Sequence, residues 1–72
     1  MSELKRNFGK RLRYLRRSRD ITQERLAELI GRSVNFISLM ENGDTAPSFE
    51  TLERLAKALN VDVADLFRFD NK

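Results

Sequence analysis

The 72-residue chain contains no cysteine, no histidine and no tryptophan, and only one proline and three glycines. Without cysteine there is no disulfide or thiolate metal site to staple a small core, and without histidine the usual zinc ligand sets are missing. The same two absences remove the thiolate nucleophile and the commonest general base. No glycine-rich phosphate loop is present, and the acidic residues are scattered over helix faces and caps rather than gathered where a carboxyl pKa would be raised. An enzyme is therefore not expected, and neither is a cofactor, a metal or a small-molecule ligand. No apolar run approaches the roughly 20 residues that span a bilayer, and the first residues, Met1 to Arg6, lack a signal peptide's apolar stretch. These features lead us to expect a cytoplasmic protein without a membrane partner. At this length one small domain over residues 1–72 is expected, with only a few kcal/mol of net stability.

What is present is charge, unevenly placed. Residues 1–19 hold eight Lys and Arg against one acid, a balance of +7, while residues 20–72 carry −4. A basic first helix suits a polyanion; it also suits a solvated surface that touches nothing. Periodicity and capping chemistry predict five helices and no sheet. Leu4, Phe8, Leu12 and Leu15 form an apolar stripe on the first, with Lys10, Arg13 and Arg17 opposite. Asp20 and Thr22 offer caps to a second helix from Gln23 to Ile30. Ser33 caps a third, from about Val34 to Glu41. Asn42-Gly43-Asp44 reads as a turn. Ser48 begins a fourth helix to Leu59, and Asp62 a short fifth ending near Leu66 or Phe67.

The spacing inside residues 22–42 is specific. Counted from Gln23, Ala27, Gly31 and Ile37 fall fifth, ninth and fifteenth. Two helices that cross closely need a small residue at the contact, and Ala27 supplies it. The turn between them needs φ > 0, which glycine adopts without a Cβ penalty. The second helix must bury an aliphatic residue, here Ile37. This is helix-turn-helix spacing, and such a unit lays its second helix in the DNA major groove. At 100° per residue, Ile37 and Met40 face the core, and Asn35, Ser38, Leu39 and Asn42 face outward with Val34 at one edge. Asn35 can pair with adenine N6 and N7, Ser38 with several bases, and Val34 and Leu39 can pack on a thymine methyl. The competing assignment for Val34 and Leu39 is a peripheral core or a protein contact.

The segments F-G-K-R-L-R-Y-L-R, I-T-Q-E-R-L-A-E-L-I-G, I-S-L-M-E-N-G, P-S-F-E-T-L-E-R-L-A-K-A-L-N-V and A-D-L-F resemble, in order, the phage repressor and Cro (XRE) family of helix-turn-helix domains. The resemblance runs from about Phe8 to Phe67. On size more than motif, the chain also resembles the controller proteins of restriction–modification systems. The resemblance implies an all-α, lambda-repressor-like compact bundle of five helices. It implies a transcription regulator that binds a near-palindromic double-stranded operator as a homodimer. Gln23 matches a family residue that grips the DNA backbone, and Arg16 and Glu41 match a structural pair tying the first helix to the third. Arg32 departs from the apolar residue usual after the turn glycine. Base contacts are thus expected from Val34, Asn35, Ser38 and Leu39. Phosphate contacts are expected from Gln23, Arg32, Ser33, Phe36, Asn42 and Arg17, with Arg11 and Arg13 nearby. Phe67 and Phe69 are expected at the dimer interface, Phe67 buried in its own core and Phe69 exposed until a partner covers it. The alternative class is a protein-interaction module, an antitoxin or adaptor, using the apolar Val34, Phe36 and Leu39 without reading DNA.

Overall fold

The computed structural model describes residues 2–69. They form four α-helices, α1 (Glu3–Ser18), α2 (Gln23–Ile30), α3 (Val34–Glu41) and α4 (Phe49–Leu59), and a closing 3₁₀ helix (Val63–Phe67). There is no strand among the described residues, and no helix is long and apolar enough to cross a membrane. The short fifth helix expected is observed as a 3₁₀ helix. With five residues it is held as a 3₁₀ turn by bonds such as Asp65 N–H to Asp62 O, 2.9 Å, a geometry that suits short runs.

Each α-helix starts on a hydroxyl. Ser2, Thr22, Ser33 and Ser48 accept from the backbone N–H three residues on, at 3.0–3.3 Å, which satisfies one donor the helix leaves unpaired. All four helices end with a left-handed residue, α3 at Gly43 (φ 80°), whose N–H bonds Met40 O while that of Asp44 bonds Leu39 O. Gly31 (φ 72°) closes α2 with paired bonds, Arg32 N–H to Ala27 O and Gly31 N–H to Glu28 O, the Schellman arrangement. Asn60 (φ 59°) and Asp20 (φ 56°) do the same after α4 and α1. Asp20 thus ends α1 rather than capping α2, a task Thr22 performs alone.

The core gathers one face of every element: Phe8, Leu12 and Leu15 of α1, Leu26, Ala27 and Ile30 of α2, Ile37 and Met40 of α3, Leu52, Leu55, Ala56 and Leu59 of α4, and Leu66. At about 25 cal/mol per Å² of apolar surface removed from water, this burial is the main force holding the bundle. Leu4, at the head of the expected stripe, is instead 57 % exposed. The C-terminal aromatics reverse their expected places. Phe67 remains 37 % exposed, whereas Phe69 is half-buried against the core. The reason is a stack: Phe67 lies 5.3 Å from Phe8, and Phe69 meets Phe67 edge-on at 6.1 Å, a favourable arrangement of ring quadrupoles.

Much of the basic excess of α1 is consumed by the fold. Arg19 Nε donates to Leu59 O at the end of α4, 2.6 Å, and Arg11 Nε to Asp65 O in the 3₁₀ helix, 2.8 Å. Arg54 likewise donates to Ile30 O, the last carbonyl of α2, 3.1 Å. Helix C-termini expose unpaired carbonyls, and guanidinium groups satisfy them while complementing the helix dipole. Arg11, expected near DNA, is therefore a structural tie.

Where α1 meets α3, two contacts fix α3 in place. The first is backbone on backbone: a Cβ built on Gly9 would lie 2.4 Å from Met40 O and 2.6 Å from Glu41 O. Only a glycine permits that approach. The second is ionic. Arg16 Nε and a terminal guanidinium nitrogen donate to the two Glu41 carboxylate oxygens at 2.6 and 3.1 Å. Gln23 Nε2 donates to Glu41 Oε1 at 3.0 Å, and Arg13 Nε approaches it at 3.4 Å. Arg16 also donates to Ile21 O, 2.8 Å. Arg16 and Glu41 are both buried. Burial by itself raises the Glu41 pKa, but the hydrogen bonds from Arg16, Gln23 and Arg13, with the charge of Arg16, outweigh it and hold the carboxyl below its ordinary value.

The two glycines answer different demands, so their variants should separate. Gly9→Ala should destabilise the fold by about 1–3 kcal/mol through overpacking, despite better helix propensity. Gly31→Ala should lose about 1–2 kcal/mol to the left-handed conformation, since only Arg54 lies near its Cβ position, at 3.6 Å. Asparagine should recover stability at 31 and none at 9, as read from urea midpoints.

Because the folded pKa of Glu41 is depressed, its stabilisation is complete above its ordinary value of 4.5 and fades as pH falls through the folded pKa. Wild type should lose stability in that acid window, and Glu41→Gln should be flatter there. Arg16→Met alone should cost about 3–5 kcal/mol, having left a buried carboxylate unpaired, and Arg16→Met with Glu41→Leu should recover part of it. Additive single effects would show the two charges to be independent.

Candidate nucleic-acid interface

With Ile37 and Met40 fully buried and Glu41 locked to α1, the rotation of α3 about its axis is fixed, and so is the arc it turns outward. Val34 is 38 % exposed and Asn35 and Asn42 are exposed, while Ser38 and Leu39 are half-buried. These five side chains share the side away from the core that helical geometry assigns them. No side-chain hydrogen bond within the described residues engages Asn35 or Ser38, leaving their amide and hydroxyl available. Asn42 differs: its Oδ1 accepts from Arg13 at 3.2 Å.

The flanking residues divide into free and committed groups. Ser33 is exposed, but its hydroxyl oxygen accepts from Phe36 N–H at 3.1 Å as the cap of α3. Gln23 begins α2, and its amide nitrogen is spent on Glu41. What it can present outward is its amide oxygen and the N-terminal N–H groups of α2, which attract anions. Phe36 is half-buried against the core, with the Arg32 guanidinium centred 3.8 Å over its ring. Arg32 itself is exposed. Arg17 is exposed in an outer cleft of α1 shared with Lys10, Arg13, Tyr14 and Ser18.

The structure thus brings Arg16, Glu41, Gln23, Arg13 and Asn42 into one network. It keeps Arg32 and Phe36 as a separate pair and leaves Arg17 outside both. Phe67 and Phe69 belong to a different part of the fold, Phe67 stacked on Phe8 and Phe69 edge-on to Phe67. Arg13 lies on the outer side of α1 with Lys10 and Arg17, where the helical period places it, and its half-buried side chain also reaches Glu41 and Asn42 at the end of α3, a contact that the period does not predict. Its one sequence signal is its position three before Arg16, which lets both guanidinium groups address the same carboxylate.

A family model described as helix-turn-helix, HTH_3, matches residues 12–66. The cryptic phage CTXphi transcriptional repressor RstR of Vibrio cholerae is 41 % identical over 59 residues, covering 82 % of this chain and 53 % of its own length. The control protein C.MunI of a Mycoplasma species is 32 % identical over 68 residues, 93 % of this chain and 92 % of its own. Among solved structures, the restriction-modification controller protein C.AhdI of Aeromonas hydrophila superposes with a TM-score of 0.83 at 35 % identity. The match covers 86 % of this chain and 94 % of that one. The chain therefore spans about half the length of the phage repressor and nearly all of the two controller proteins. With the family model covering most of the bundle and its spacing placed on α2 and α3, the chain belongs to the HTH_3, or XRE-type, helix-turn-helix family.

Proposed function

We propose that this chain is a sequence-specific transcription regulator that binds double-stranded DNA with α3 in the major groove, two copies on one near-palindromic operator. The observation that carries this is the state of α3: a helix fixed on its inner side and uncommitted on its outer side. A rigid, hydrogen-bond-capable arc is what base reading requires, because the donors need not be ordered on contact. In this reading Asn35 and Ser38 meet base edges, and Val34 and Leu39 pack on thymine methyl groups. Gln23, Ser33, Asn42 and Arg17 supply backbone contacts, which outnumber base contacts in such interfaces. The adaptor reading loses its main support, since Phe36 packs on the core and beneath Arg32 instead of offering an apolar face.

Dimerisation follows from economy of recognition. One helix reads only a few base pairs, and two placed about 34 Å apart read two half-sites. The surface best suited to a second copy is the apolar cleft of about 200 Å³ between the start of α1, the start of α4 and the 3₁₀ helix. Phe49, 86 % exposed, stands at its edge beside Leu4, Pro47 and Phe67. A projecting ring next to an apolar hollow is self-complementary about a two-fold axis, and Lys5 at the hollow faces a partner whose Phe49 is followed by Glu50. In this arrangement Phe49 takes the anchoring place expected of Phe69.

Selection of bound duplexes from random DNA should return a near-palindrome, and failure to enrich any sequence would refute the regulator reading. On the selected site, Asn35→Ala should weaken binding by about 1–3 kcal/mol and relax preference at one base pair. Equal loss on random DNA would make Asn35 a positioning group instead. Phe49→Ser should move the sedimentation equilibrium toward monomer and weaken operator binding with the helical signal intact. An unchanged dimer would place the interface elsewhere.

A further inference from the structure

Of the ten arginines in the chain, eight make a side-chain hydrogen bond or ion pair with the described residues; Arg17 and Arg32 make none. The two differ in one respect. Arg17 projects from α1 with nothing to hold it, whereas Arg32 is held. Its guanidinium carbon sits 3.8 Å above the centre of the Phe36 ring, four residues on, and Phe36 is itself packed against the core. A cation over an aromatic face is attracted by the ring quadrupole, and the contact leaves the guanidinium edge, with all five N–H donors, unoccupied. Holding a charged fork in place without spending any of its donors is pre-organisation for an external acceptor.

Helical geometry says where that acceptor lies. Around α3, Phe36 falls on the flank next to Leu39, and Glu41 on the opposite flank. The Glu41 flank is the one tied to Gln23 and the N-terminus of α2. A flank of a helix lying in the major groove faces a wall of the groove, and the walls are phosphodiester backbone. The guanidinium is also not neutralised: the ion pairs among the described residues do not include Arg32.

We propose that Arg32, held on Phe36, is a second phosphate clamp that grips the backbone strand across the groove from the one met by Gln23 and the start of α2. This rests on the regulator reading above and adds a strand and a residue pair to it. Recognition would then be bracketed from both walls, with Phe36 acting as a positioning residue through Arg32 and not as a DNA contact of its own.

The test is the salt dependence of binding, measured on two probes, a 20-base-pair duplex of random sequence and the duplex recovered by selection. For wild type, Arg32→Ala, Arg32→Lys and Phe36→Leu, log K is plotted against log salt. Each phosphate neutralised contributes a slope of about −0.9. Arg32→Ala should flatten the slope by about that amount and weaken both probes by the same factor. Arg32→Lys should keep the slope and lose affinity, since an ammonium lacks the planar fork. Phe36→Leu should likewise keep the slope and bind more weakly, with its melting temperature showing that the fold survives. An unchanged slope in Arg32→Ala overturns the clamp while leaving the regulator reading intact. A loss confined to one G·C pair of the selected duplex also overturns it, making Arg32 a base reader. If wild type binds neither probe, both the clamp and the regulator reading fall.

Discussion

Everything the proposed interface does depends on one carboxylate. Glu41 ends the recognition helix and receives Arg16, Arg13 and Gln23, one group from the core side of α1, one from its margin and one from the head of α2. A carboxylate offers about four lone-pair directions, and here they are shared among four donor groups of three residues from two other helices. The cluster is shielded from water, so salt screens it far less than the exposed pairs Arg6–Glu3 or Arg25–Glu28. Its desolvation cost is offset only while all partners are present. That makes it less a source of net stability than a device for holding three helices in one relative orientation.

The second constraint is steric and works in the same place. Gly9 lets the α1 backbone approach the carbonyls of Met40 and Glu41, which brings Arg16, two turns further along α1, within reach of the carboxylate. A larger residue at position 9 would push the helices apart at the point where the ion cluster needs them close. Hydrophobic burial alone is non-directional; Gly9 and Glu41 supply the direction.

Much of this was legible in the sequence because local chemistry and periodicity agreed. Thr22, Ser33 and Ser48 before α2, α3 and α4, Gly31 after α2, and the apolar stripe Phe8, Leu12 and Leu15 of α1 all pointed to the elements observed. Ile37 and Met40 could be placed inward, and Asn35 outward, from the helical period. What the sequence did not disclose were contacts made across long separations. Arg11, Arg13 and Arg19 look alike as charges on a basic helix, and their partners are carbonyls or carboxylates from α3, α4 and the 3₁₀ helix. Gly9 carries no turn signal, since its reason is a neighbour's backbone. The order of Phe67 and Phe69 was not legible because it depends on Phe67 stacking on Phe8, a partner far away in the chain, with Phe69 packed on Phe67. Phe49 was overlooked because exposure at a helix start is not written in any period.

The distribution of tasks along α3 has a further consequence. Its structural residues are Ile37, Met40 and Glu41, and its outer ones are Val34, Asn35, Ser38 and Leu39; the two sets do not overlap. In the proposed function, sequence preference would therefore be rewritten by exchanging a few outer side chains while the mounting stays as it is. A scaffold built this way lends itself to diversification: duplicated copies can drift to new targets one side chain at a time, each intermediate still folded. In the laboratory, the same separation makes the four outer positions a natural set for combinatorial randomisation.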